Sequence, residues 1–324
     1  MVSSKKTPPE TSETKKADYE SIVQGKLPGA ELVVGLVGPV GVNLMWVVED
    51  LTKCFERYGY ESREIHLSHL IKNLVNIPAH NPESEYERAN ALMDAGNQAR
   101  NSAGNNAILA LAAVSAIYAD RTPEGEQRQP QSRQAYIVNS LKHPAEVNAL
   151  RRIYGSAFFL IGVYSEPERR SEWLTKKKDR KMSLNDANRL MRRDEAEGSD
   201  YGQRTRDTYH LSDFFVHLLW DDKGEDETND AESKKTQANI ERFLDIVFAD
   251  PFRTPLFDEY AMFMAFAAAT RSADLSRQIG AVIARGEVIL ATGANECPRA
   301  EGGTYWPSLA QSGEVVDVER GRDY

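Results

Sequence analysis

The run Glu31-Leu-Val-Val-Gly-Leu-Val37, followed at once by Gly38-Pro-Val-Gly41, constrains this chain more than any other segment. It is an apolar stretch of strand length, and the glycine turn delivers it to Leu44, Val47, Val48, Leu51 and Phe55, which recur at helical spacing. Strand, glycine turn and helix in that order start an α/β unit. The pattern then repeats. Polar helix-forming stretches run from Glu83 to about Asp120, Arg121 to Arg133 reads as a loop, and Ala135-Tyr-Ile-Val-Asn139 is a second strand followed by a helix opened by His143-Pro144. A third strand, Ala157-Phe-Phe-Leu-Ile-Gly-Val163, is apolar at nearly every position and predicts burial on both faces. Strands alternating with helices predict an α/β domain with a parallel sheet.

Residues 1–28 are rich in Ser, Thr, Lys, Glu and Pro without periodicity, the composition of a disordered tail. The first domain is expected over 29–222. Asp221 to Lys235 holds seven acidic residues and three lysines with only Ala231 apolar, so 223–236 reads as an acidic linker and 237–324 as a second domain. In that second part Ile240, Phe243, Leu244 and Val247 share a helical face. Tyr260 to Ala269 is apolar on every side and predicts a helix central to a core. Ile279 to Ala284, a turn at Arg285-Gly286, and Glu287 to Thr292 read as a hairpin.

At 324 residues with 41% hydrophobic content, the chain is long enough for two cored domains. No apolar run approaches the roughly 20 residues a bilayer requires, and the amino terminus lacks a signal-peptide core, so no membrane partner and a cytoplasmic location are expected. The net charge of -9 disfavours polyanion binding by the whole chain, and no sequence-specific nucleic-acid partner is expected. Arg169 to Arg193 runs against that balance, with ten basic and three acidic residues. Cys54 and Cys297 lie far apart and predict neither a disulfide framework nor a metal-ligand pair.

A glycine turn between strand and helix can cradle phosphate, because unpaired amides at the helix start point at the anion. The complete motif is G-x-x-x-x-G-K-[ST]. Laid on Gly38 to Met45, its first glycine fits, but Asn43, Leu44 and Met45 replace the second glycine, the lysine and the hydroxyl. The second strand ends in Asn139 where a phosphoryl-transfer enzyme would place a magnesium-linked Asp. Gly38, Gly41 and Asn43 therefore form a phosphate-loop-like turn that is either structural or retains a nucleotide without transferring its phosphate. Gly35 to Gly41, Asn139 to Glu146, the basic stretch and Asp213-Phe-Phe-Val216 together resemble P-loop nucleotide kinases, in which a basic lid closes over phosphates. The basic stretch reads either as such a lid or as a solvated helix pair.

Ser276-Arg-Gln-Ile-Gly-Ala-Val-Ile-Ala284, Ile289-Leu-Ala-Thr-Gly-Ala-Asn-Glu-Cys-Pro298 and Gly302-Gly-Thr-Tyr-Trp-Pro307 resemble the opening of a deoxycytidylate deaminase domain. A degenerate P-loop domain ahead of such a domain is similar to the bacterial anti-phage dCTP/dCMP deaminases. That resemblance implies a P-loop kinase-like parallel sheet domain followed by the incomplete start of a cytidine-deaminase-like α/β domain, deoxycytidine nucleotides as partners, and zinc as cofactor. The complete family enzyme turns deoxycytidine into deoxyuridine nucleotides and drains the pool a phage needs. Zinc deamination uses H-x-E and P-C-x-x-C. None of His66, His69, His80, His143, His210 and His217 has Glu two residues later, and no P-C-x-x-C occurs, so no catalytic or metal residue is assigned in this chain. By the resemblance, Asn295 lies beside the sugar, where an amide can donate and accept, and Arg277 is a candidate phosphate contact. Cys297 as a zinc ligand and His66 with His69 as a metal pair are weaker readings than surface or partly buried side chains. The apolar helix and the open hairpin edges invite pairing with another copy, so a homo-oligomer is an expected partner. A non-catalytic nucleotide-binding or protein-interaction module is the competing reading.

Overall fold

The computed structural model describes residues 29–75, 84–121, 123–124, 127–176, 182–218, 227–250, 252–296, 306–309 and 315–317, so the expected tail at 1–28 lies outside the described residues. The chain divides into two compact units, Met1–Asp250 and Pro251–Tyr324.

The first unit is built on five strands: β1 (Leu32–Val37), β2 (Glu61–His66), β3 (Gln134–Asn139), β4 (Phe158–Tyr164) and β5 (Phe214–His217). They form one parallel sheet in the order β2-β3-β1-β4-β5, with Val34 of β1 level with Ile137 of β3 and Phe159 of β4. The α/β parallel sheet expected from the sequence is therefore present. β1 lies at its centre, and every one of its residues is buried.

The period of two along β1 sorts its side chains between two cores. Leu32, Val34 and Leu36 pack against Val47, Leu51 and Phe55 of α1 (Leu44–Arg57) on one side. Val33 and Val37 face α2 (Leu67–Leu74), α3 (Glu85–Ala103), α4 (Ile108–Asp120) and α5 (Pro144–Tyr154) on the other. Local chemistry fixes the helix ends. Ser84 accepts from the Glu87 amide to start α3, and Gly104, at φ 56°, ends it in the left-handed conformation. His143 caps α5 ahead of Pro144, and Glu146 closes a capping box. α6 (Pro167–Lys176), α7 (Leu184–Glu195) and the short α8 (Thr205–Tyr209) precede β5.

The acidic linker does not take the expected form. Residues 227–236 belong to α9 (Glu227–Val247), a continuous helix, and 223–226 lie outside the described residues. The physical reason is its carboxyl half, where Ile240, Phe243 and Leu244 are buried against α1 in the same core as β1. Arg57 Nη2 donates to Asp245 Oδ1 at 2.7 Å, and the Tyr58 hydroxyl donates to the same carboxylate. Burial and then that carboxylate push the Tyr58 hydroxyl up to about 12. The helical face expected in the second domain thus belongs to the first unit, and the division falls after Asp250 rather than at 222. Within the expected loop at 121–133, Pro123–Glu124 and Gln127–Arg128 form a two-residue ladder.

The second unit holds α10 (Phe257–Ala269), the antiparallel pair β6 (Gly280–Arg285) and β7 (Val288–Ala294), and a short ladder between β8 (Pro307–Leu309) and β9 (Val315–Asp317). The hairpin turn lies at Gly286–Glu287, one residue later than expected. Gly286, at φ 57°, takes the left-handed position, and a bulge in β7 absorbs the offset between Ile283 and Ala284. Gly280 lets α10 approach β6, since a Cβ there would stand 1.8 Å from the Ala265 carbonyl oxygen. Contrary to expectation, α10 is not surrounded by a core: Met262, Phe263 and Phe266 are 63 to 71% exposed, and Ala265 is its one buried residue. A helix and a two-stranded hairpin supply a single interface, which covers only one side of an all-apolar helix.

Candidate functional site

In an open parallel sheet, ligands bind outside the carboxyl ends of the strands where neighbouring connections leave in opposite directions. Here that point lies between β1 and β3. A cleft of about 380 Å³ opens there, lined by the Gly38–Val42 turn after β1, Ser140 and Lys142 after β3, His66 at the end of β2 with His69 just beyond it, and Arg88 and Arg100 on α3. α6 and α7 roof it through Trp173, Leu174, Leu190 and Met191, which pack on Met93 of α3. The basic stretch is thus a helix pair with a buried apolar face. Residues 177–181 within it lie outside the described residues.

The phosphate-loop-like turn is tightly held. Gly41 has φ +90°, and a Cβ on it would come within 2.8 Å of Arg170 Cβ and 2.9 Å of the Arg170 carbonyl oxygen, so glycine is required twice over. Asn43 caps α1 by accepting from the Met45 amide at 3.3 Å, a structural use of the side chain. The Val40 amide donates to Asp194 Oδ2 at 2.8 Å, and Arg170 Nη1 donates to the Val40 carbonyl at 3.4 Å. Lys142 Nζ donates to the Gly38 carbonyl at 2.6 Å and pairs with Asp194 Oδ1 at 2.9 Å. Asp194 is fully buried at the end of α7. The turn therefore already binds an oxyanion, a carboxylate of the chain itself, through a backbone amide with a lysine beside it.

Beneath the turn, Arg100 is 1% exposed and donates through Nη2 to the fully buried Glu146 at 2.9 Å. Glu146 also accepts from the Lys142 and His143 amides at 2.8 and 3.1 Å. This pair joins α3 to the start of α5 and fixes the segment that carries Lys142. His143 accepts from the Ala145 amide through Nδ1 at 3.1 Å, which requires a neutral ring, and burial lowers its pKa. Lys142, Arg100, Asp194 and Arg170 are the residues that sequence reasoning did not single out. They come from three distant stretches, and only the fold brings them together.

Asn139 is buried, donates to Glu64 Oε1 at 2.6 Å and accepts from the Ser140 hydroxyl at 3.1 Å, so its amide is committed to the sheet edge. His66 and His69 stack with ring centroids 4.8 Å apart, and Ser68 hydrogen-bonds His66 Nδ1 at 2.8 Å. Burial and then the neighbouring His69 lower the His66 pKa.

In the second unit, Asn295 is exposed and braces the entry to β6: Oδ1 accepts from the Ile279 amide and Nδ2 donates to the Arg277 carbonyl, both at 2.7 Å. Arg277 is exposed. A hollow of about 370 Å³ beside β7 is lined by Thr270, Arg271, Thr292 and Trp306, with the Arg271 guanidinium 4.3 Å from the Trp306 ring centre. Cys297 lies outside the described residues. The zinc that the deaminase resemblance implies does not fit the residues present: among the described residues no group of three His, Cys, Asp or Glu could hold a metal ion. Nor is a single helix among them long and apolar enough to cross a membrane.

The fold is an α/β domain with a five-stranded parallel sheet whose glycine turn after β1 lacks the second glycine, the lysine and the hydroxyl of the phosphate-loop motif. No family model matches the chain. No curated protein matches it either. Among solved structures it is similar to a gluconokinase from Sinorhizobium meliloti 1021, at 12% identity and a TM-score of 0.32 over 66% of this chain and 96% of that one. A shikimate kinase from Bacteroides thetaiotaomicron is similar at 11% identity and a TM-score of 0.32, over 64% and 97%. A protein from Eubacterium ventriosum ATCC 27560 is similar at 8% identity and 0.30, over 66% and 98%.

Proposed function

We propose that the first unit is a phosphate- or nucleotide-binding module that performs no phosphoryl transfer. The observation that carries this reading is the bond from the Val40 amide to a buried carboxylate beside Lys142, since an oxyanion held by a backbone amide and an ammonium group is the chemistry of phosphate recognition. Transfer needs more. Leu44 and Met45 supply neither the charge nor the magnesium ligand, and the Asn139 amide is tied to Glu64 and Ser140. Titration of ATP and pyrophosphate by calorimetry, with inorganic phosphate release measured alongside, tests this. Saturable binding without release is expected, and magnesium-dependent release above a protein-free control overturns it.

A second reading concerns the second unit, which we infer to be a deoxycytidylate-deaminase-like segment that binds deoxycytidine nucleotides and, without H-x-E or P-C-x-x-C, does not convert them. Its support is the motif run from Ser276 to Pro298 with Arg277 exposed beside the entry to β6, an entry that the Asn295 amide braces through the Ile279 and Arg277 backbone. By that resemblance the nucleotide chemistry would be that of the anti-phage dCTP/dCMP hydrolases. Incubation of the chain with dCTP and dCMP, followed by chromatography, is expected to return no deoxyuridine nucleotide, while equilibrium dialysis retains dCTP over dTTP. Formation of deoxyuridine product, or equal retention of both nucleotides, overturns this reading.

A further inference from the structure

We propose that Asp194 is a built-in competitor for the phosphate position of the Gly38–Val42 turn, so that ligand binding there must displace the carboxyl end of α7. The proposal rests on the phosphate reading above and adds how that site is regulated. Three observations converge. The Asp194 carboxylate is fully buried, accepts from the Val40 amide at 2.8 Å and pairs with Lys142 at 2.9 Å, so it uses both groups that an incoming phosphate would need. Arg170, 3% exposed, reaches the Val40 carbonyl from α6 and pairs with Glu195 at 3.4 Å, so the same two helices are stitched to the turn on both sides of Asp194. Its buried Nε, like that of Arg100 at the cleft floor, has no partner among the described residues, leaving donor capacity beside the turn.

The Val40 amide has one proton to donate, so phosphate and Asp194 exclude each other there, and their like charges repel across Lys142. The free chain is therefore held in a closed state, and the affinity for phosphate is reduced by the fraction of molecules in which Asp194 has left. Entry of a phosphate exchanges Lys142 and the Val40 amide from Asp194 to the ligand. Asp194 then moves toward water, and α7 loses its link to the turn. Ligand state is thereby converted into the position of a helix.

Calorimetric titration of pyrophosphate into the wild-type chain and into Asp194→Asn tests the competition. Asp194→Asn keeps an acceptor for the Val40 amide but removes the charge, and it is expected to bind at least about tenfold more tightly, in line with the strength of a charge-assisted hydrogen bond. Equal or weaker binding by a folded Asp194→Asn overturns the competitor while leaving phosphate binding intact. Absence of binding by both proteins overturns the phosphate reading and the competitor together. Should Asp194→Asn fail to fold, hydrogen exchange on the wild-type chain with saturating pyrophosphate decides. Protection at 38–45 with faster exchange at 184–195 is expected, and protection of both segments overturns displacement.

Discussion

Replacing Arg100 by Met is the most informative perturbation of the cleft floor. The Arg100–Glu146 pair is nearly inaccessible, at 1 and 0% exposure, and Met matches the length of the arginine stem without its charge. Glu146 would keep its bonds from the Lys142 and His143 amides but lose its counter-charge. Breaking a buried pair from one side costs about 3–5 kcal/mol, because the remaining charge stays desolvated. For a unit of this size each kcal/mol lowers Tm by about 2–4 °C, so a fall of about 6–20 °C is expected in a thermal melt followed by circular dichroism. Adding Glu146→Gln removes the stranded charge and leaves a carbonyl oxygen for the two amides. The double variant should therefore recover about 1–3 kcal/mol relative to Arg100→Met, by the cost of leaving a buried polar group unsatisfied. A loss below about 1 kcal/mol in Arg100→Met, or a double variant no more stable than the single one, would refute the assignment of this pair as the clamp beneath the turn.

Stability should fall on acidification below the ordinary histidine value of 6.5: His66 and His143 have lowered pKa values when folded, so the unfolded chain takes up protons first as pH drops. Urea titrations from neutral to mildly acidic pH check this, and His143→Asn, which can still cap α5, should flatten the dependence. The Cys54 thiol is pushed up to about 11 by burial and then by Glu241, so in a Cys297→Ser background it should resist alkylation until the chain is unfolded; rapid labelling in native buffer would contradict its burial. Gly280→Ala sets a methyl group against the Ala265 carbonyl and should release α10 from the hairpin, seen as faster hydrogen exchange across 257–294 while the first unit keeps its own melting transition.

The sheet is legible because its central strands are buried on both faces and carry apolar runs at 32–37, 135–138 and 158–163. β2, whose residues Glu61, Arg63 and Glu64 are polar, carries no strand pattern in the sequence, since an edge position leaves it without an apolar run. The extent of α9 is hidden in the sequence for a related reason. Its amino half is charged, and only the packing of Ile240 and Leu244 against the first unit explains why the helix extends back through the acidic run. Gly38, Gly41 and Asn43 could be found from local spacing, whereas Asp194 and Lys142 could not. Their meeting depends on the roof helices folding back over a turn some 150 residues earlier in the chain. Asn295 shows the converse: a residue marked by motif alone has its amide committed to backbone groups of its own hairpin.

Amide chemical-shift mapping of the ¹⁵N-labelled chain during titration with pyrophosphate tests most directly the claim that this turn is a phosphate site. Saturable shifts are expected to concentrate at Gly38 to Leu44 and Ser140 to Lys142, with Asp194 and its helix responding in step. Shifts confined to surface lysines elsewhere, or unchanged spectra at millimolar pyrophosphate, would contradict it and leave the glycine turn as a packing device between β1 and α1.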